Sequence, residues 1–259
     1  MNSKLERQTS LTGTLSVVRI AVAALLVLLA GLPSSAQTFS SGSNGSDGAL
    51  NLTTATPGVV GGVLIFNPAD PVTFPTPLDP DGDHIYHFTT INIGAGLTVK
   101  LTSKYFGGAV YWLASGAVTI NGIVDLNGEP GHDCIPGLPD YSKRRPALGG
   151  AGGWNGGIGG GGSVPNLVAQ AGSGPGGGAL GPIPGNGVNG TLTANQYLIP
   201  LIGGSGGSGA AVSTSTTCFG PGGGGGGGAI LIASTVSITV TSPGQVRAAG
   251  GAAATVFDN

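Results

Sequence analysis

Residues 222–228 are seven consecutive glycines. A run of that kind brings no side chain to a hydrophobic core or to the face of a helix. Two other stretches carry a related signature. Gly150, Gly153, Gly156, Gly159 and Gly162 share one three-residue register, each with a second glycine beside it, and Gly203–Gly209 repeats the pattern. By composition such segments read as flexible linkers or disorder. By period they suit extended left-handed helices with three residues per turn, whose bare faces pack closely. The second reading predicts a polyglycine-II bundle from which Ala151, Trp154 and Ile158 project. No strict Gly-X-Y repeat runs through the chain, so it is not collagen.

Outside these runs the pattern is that of short strands. Leu97, Val99 and Leu101 alternate with polar residues, the period of a half-buried strand. Val110–Ala114, Val118–Ile120 and Val124–Leu126 follow, with Asn121-Gly122 at a corner. Ala49–Leu52 and Val59–Phe66 are earlier strand candidates. Five prolines between residues 67 and 83 forbid a helix or a central strand there. No stretch after residue 36 sustains a capped 3.6-residue apolar period, so the fold class is all-β. Trp112 and Tyr111 read as core fillers.

The second half repeats the first. Val110, Val118 and Ile120 recur as Ile230, Ile238 and Val240, offset by 120 residues, and Val124 recurs as Val246 after a two-residue insertion at Ser242-Pro243. Recurring short strands with Gly/Asn corners are what the stacked coils of a parallel β-helix need, each coil burying its apolar face against the next. A Greek-key sandwich is the alternative on strand spacing. The organisation expected is a signal peptide over 1–36, a Ser/Gly- and Pro/Asp-rich segment over 37–83, a first β-helical unit over 84–128, a glycine-rich insertion over 129–228, and a second unit over 229–259.

The N-terminus reads as an export signal. Lys4, Arg7 and Arg19 precede an apolar run from Ile20 to Leu32, and Ser34-Ser35-Ala36 offers a small-residue cut before Gln37. That run falls short of the ~20 residues of a spanning helix, and no spanning run follows. The expected location is secreted, extracellular or on the cell surface. In an oxidising compartment, Cys134 and Cys218 suggest a disulfide that clips the glycine-rich segments.

Several stretches resemble a group of secreted bacterial glycine-rich proteins. They are Ser46–Asn51, Asp79–Asp83, Phe88–Ile93, Val118–Gly122 and Gly227–Ser234. The resemblance covers most of residues 45–250 and implies a right-handed parallel β-helix with no assigned activity. This chain stops at Asn259, soon after its second copy and earlier than many of that group. Either the reading frame is truncated or the last coil stacks on a partner.

Chemistry-bearing residues are few, since only 8% of the chain is charged. The formal charge of −2 offers no field for phosphate, which excludes nucleic acid as an expected partner. Asp79, Asp81 and Asp83 alternate around Gly82. They read either as oxygen ligands for Ca²⁺ or as a turn in which carboxylates hold backbone N–H groups. An EF-hand loop is incomplete, with His84 and Thr90 where Gly and Glu belong. His84 and His87 would face opposite sides of a strand, and His132 lies beside Glu129 and Asp133. Lys143-Arg144-Arg145 is the only basic cluster and, with the aromatic Trp154, a candidate ligand contact. Asp125 and Arg247 occupy matched positions of the two copies. No GxSxG elbow, P-loop or HExxH occurs.

These readings favour a non-enzymatic structural or adhesive protein, with self-association or surface glycans as partners. A glycan-binding or carbohydrate-active β-helix is the alternative. Binding to ice or mineral through Thr90, Thr98, Thr102 and Thr119 ranks third.

Overall fold

The structure, a computed structural model, describes residues 39–132, 144–161, 168–180, 187–188, 199–211 and 219–254. The signal segment, the pair Cys134 and Cys218, Asp133 and Lys143 lie outside these residues. All described elements belong to one unit, Ser40–Asn259.

The strands are short because glycines, prolines and Asn/Asp turns interrupt them every few residues. In chain order they are β1 (Ala49–Leu52), β2 (Val63–Ile65), β3 (Ile85–Phe88), β4 (Thr90–Ile93), β5 (Thr98–Lys100), β6 (Val110–Ala114), β7 (Val118–Ile120) and β8 (Ile123–Asp125). There follow β9 (Ala179–Leu180), β10 (Gly187–Val188), β11 (Ile230–Ser234), β12 (Ile238–Val240) and β13 (Gln245–Arg247). No α-helix occurs among the described residues.

Three parallel sheets surround one core, in the orders β1-β4-β7-β12, β11-β6-β3 and β13-β8-β5-β2. The chain visits them cyclically. β3, β4 and β5 make one coil, β6, β7 and β8 the next, and β11, β12 and β13 the last. The fold is solenoid-like. β1 and β2 pair with β4 and β5, so the stack begins before residue 84. The sequence repeat is the strand register itself: Val110 lies against Ile230, Val118 against Ile238, and Val124 against Val246.

Alternation places one row of each strand inside. Leu50, Ile91, Val118, Leu64, Val99 and Val124 are all buried. An aromatic cluster fills the wider part of the core. Phe66 packs on Phe74, Tyr86, Phe106 and Trp112 with ring centroids 5.2–6.0 Å apart. Trp112 is fully buried, but Tyr111 is half-exposed on the outer face, because successive strand residues cannot point the same way. Outward polar residues also stack, as where Asn92 Nδ2 donates to Asn51 Oδ1 at 2.7 Å. Thr119 lies in register with Thr239, but Thr90, Thr98, Thr102 and Thr119 do not line up with one another. Thr102 is buried, Thr98 sits on a different sheet from Thr119, and Thr119 lies in register with Asn92 rather than Thr90.

The glycine-rich segments are built differently. Residues 222–228 run through the middle of a bundle and are cross-linked at three-residue steps to four neighbours. Gly222, Gly225 and Gly228 donate to the carbonyls of His132, Glu129 and Leu126 at 2.8–2.9 Å. Gly223 and Gly226 donate to Gly157 and Trp154, while Gly227 and Gly224 accept from Gly204 and Gly207. Gly225 and Gly222 also accept from Gly251 and Ala254. Each register thus faces its own neighbours, as three residues per turn require.

This explains why the run is pure glycine. A Cβ on Gly223 would strike the carbonyl of Gly207, on Gly224 that of Gly251, on Gly225 that of Leu148, and on Gly226 that of Gly204. Of the three residues expected to project from the bundle, two do not. Ala151 is fully buried and belongs to the solenoid core, and Ile158 is 8% exposed, while Trp154 is half-buried. Beside bare glycine faces, apolar side chains are what can fill a seam, so Ala151 and Ile158 turn inward.

Candidate functional site

The main concentration of ionisable groups lies at one pocket of about 240 Å³. The Pro-rich loop before β3 supplies Asp79, Asp81 and Asp83, the segment before β1 supplies Asn44 and Asp47, and β3 supplies His87. Carboxylate oxygens of Asp79, Asp81 and Asp83 lie within 4.8 Å of one another.

The loop is held by its own acids. Asp79 has φ 52° and His84 has φ 63°, conformations uncommon for residues other than glycine. Asp79 stabilises the turn between them. Its Oδ1 accepts the Asp83 N–H at 3.1 Å, and its Oδ2 accepts the His84 N–H at 2.9 Å. Its side chain is only 2% exposed. Asp83 Oδ1 accepts the Ile85 N–H at 2.8 Å, and Asp47 Oδ2 accepts the His87 N–H at 2.6 Å. The Tyr86 hydroxyl is buried close to Asp79. Burial first, and then the charge of Asp79, hold its ionisation far above the usual phenol range.

These oxygens are of the hard type that Ca²⁺ takes. Both oxygens of Asp79 already accept main-chain donors, which is the turn-holding role; Asp81 and Asp83 are exposed. The sequence brings these three together correctly but gives no sign of Asp47, distant in the chain and delivered by the pairing of β1 with β4. The histidines do not converge. His84 packs on the Phe106 ring at 5.5 Å, while His87 Nδ1 accepts the Asn44 N–H at 3.4 Å.

A second cluster joins the solenoid to the bundle. Glu129 Oε2 accepts Arg145 Nη1 at 2.9 Å and the Leu148 N–H at 3.1 Å, with His132 Nε2 at 3.8 Å. Burial opposes ionisation of Glu129, but the Leu148 N–H and the Arg145 guanidinium outweigh it and hold its carboxyl below the usual range. Arg144 donates from Nε to the Gly159 carbonyl at 3.0 Å and from Nη2 to the Val168 carbonyl at 3.1 Å. Both arginines are therefore engaged within the molecule. Trp154 lies over Gly174, where a Cβ would meet its ring at 2.8 Å. Asp125 stands in register between Lys100 and Arg247, giving a row of alternating charge on one outer face.

Among the described residues no helix is long and apolar enough to cross a membrane. No protein-family model, curated protein or solved structure matches this chain.

Proposed function

We propose that this chain is an exported structural or adhesive protein of the cell surface or extracellular space, without enzymatic activity. Its scaffold is a right-handed parallel β-helix carrying a polyglycine-II bundle on its flank. The right-handed sense rests on the strong general preference of parallel crossovers for that hand. The bundle rests on the three-residue hydrogen-bond step around residues 222–228. Export rests on the N-terminal sequence, and the structural role is supported by the few charges and the repetitive scaffold.

One observation carries the functional reading. Asp79, Glu129, Arg144 and Arg145 all spend hydrogen bonds on this chain's own main chain. They stiffen a scaffold rather than converge on a ligand. The test is to probe fractions of the native host for the protein. Retention in the envelope or in large assemblies is expected, and a free monomer in the culture fluid overturns the reading.

Glycan binding is the second reading, favoured by Tyr111. This side chain faces outward and is partly exposed, in register with Ile85, which lines the acidic pocket. A glycan array on which Tyr111→Ala abolishes a signal would move this reading to first place.

A further inference from the structure

The two ends of the stack differ. Leu50, Leu52 and Leu64 in the first strands are 3%, 2% and 1% exposed, and Val59, Phe74 and Leu78 from the loops flanking β2 pack into the same core. In the last coil, Ile238, Val240 and Val246 continue the inward rows of Val118, Ile120 and Val124. They are nevertheless 48%, 50% and 43% exposed. β13 is the last strand among the described residues.

The main chain at that end is also uncovered. In a parallel ladder, alternate residues direct their N–H and C=O groups to opposite neighbours. Thr235, Thr241 and Gln245 donate back to Ala114, Ile120 and Gly122. Ile230, Ile232, Ile238, Val240 and Val246 therefore aim theirs away from the stack. Edge strands are normally guarded by charge. Here, between Gly228 and Ala249, only Arg247 is charged, and its Nε donates to Gln245 Oε1 at 2.7 Å.

We propose that the coil β11–β13 is a docking surface for a second copy of this chain, engaged through the same coil. The inference rests on the reading of the protein as a self-associating scaffold and names the surface used. Three open edges around one core call for a partner with a coil of the same cross-section. A lone peptide strand would satisfy only one edge. In the first coil of another copy the inward side chains Leu50, Leu52 and Leu64 are already buried, so the last coil is the matching apolar surface. A near-neutral end sets no like-charge barrier to this contact, which pairs the open edges of all three sheets.

Viewed from its own end, each copy circulates in the same sense. Face to face, every strand pair is then antiparallel. One strand pairs with its symmetry mate and the other two exchange partners. The contact is isologous and closes at two copies, so it makes no fibre.

The test uses the full 259-residue chain, expressed with its own N-terminal segment and followed by sedimentation velocity over a concentration series. A monomer–dimer equilibrium is expected. Val240→Lys should weaken it at least tenfold (about 1.4 kcal/mol), and Val60→Lys at the closed end should leave it unchanged. Should Val240→Lys unfold the chain, hydrogen exchange of the wild type gives an independent reading, with the Ile238 and Val240 amides gaining protection as concentration rises. A monomer at every concentration overturns the proposal. So does a dimer indifferent to Val240→Lys in a folded variant, or open-ended growth. A dimer that is released freely from the host contradicts the adhesive reading while supporting this surface.

Discussion

The solenoid and the glycine bundle satisfy the same main-chain donors and acceptors by opposite means. The solenoid leaves an interior and fills it with side chains such as Trp112, Phe66 and Val99, all 0% exposed. The bundle removes the interior: residues 222–227 are buried with main chain on every side. The first region is therefore damaged by taking atoms away, the second by adding them. Few charges are needed for either, which is how a chain so poor in ionisable groups can still specify a folded structure.

The largest effect should come from emptying the solenoid. Trp112→Ala removes the largest fully buried side chain and should cost about 4 kcal/mol, read from a denaturant midpoint. That is much of the stability of an ordinary domain. Gly226→Ala adds one methyl against the Gly204 carbonyl, which main-chain bonds hold in place, and should cost about 3 kcal/mol. Gly107→Ala has nothing within 4 Å of the new methyl and should stay within about 0.5 kcal/mol of wild type. If Gly226→Ala is as mild as Gly107→Ala, the close packing of the bundle is refuted.

Each region also has a carboxylate that holds main chain. Asp79→Ala leaves the N–H groups of Asp83 and His84 without that acceptor and should cost about 2 kcal/mol. Asp81→Ala should be nearly silent. Equal and calcium-dependent losses at Asp79 and Asp81 would instead assign the loop to a metal ion. In the bundle, the ionisation of Glu129 is favoured in the folded state. Its contribution is fully present above the unfolded value of about 4.3 and is lost as pH falls through the lower folded value. Between those two values Glu129→Gln should show a flatter loss of stability than wild type. An identical acid profile would remove the ion pair with Arg145 from the account.

What the sequence made legible follows the same division. β6 and β7 carry clean alternation, and the offset between the copies gives the register of β11, β12 and β13 on their partners. β3 is harder to read, because Ile85 is apolar yet faces outward and blurs the period of two. In the bundle the three-residue glycine period reveals three kinds of face but not which segment meets which. Glycine has no side chain to record its neighbour, so the pairings of 222–228 with 126–132 and 151–157 are invisible in the sequence. The same holds for the pocket, where the Asp79–Asp83 spacing shows three acids and long-range strand pairing adds the fourth. Tyr111 departs from the core-filling expectation because a pair of adjacent aromatics suggests one core, whereas a strand splits them between two faces.

The central claim is that polyglycine here is a fixed, hydrogen-bonded interior, and amide hydrogen exchange across Gly222–Gly228 tests it most directly. The account predicts protection comparable to that of β6, with the donors of Gly223 and Gly226 among the slowest. Exchange at the rate of an unfolded glycine chain throughout the run, while β6 stays protected, would contradict it.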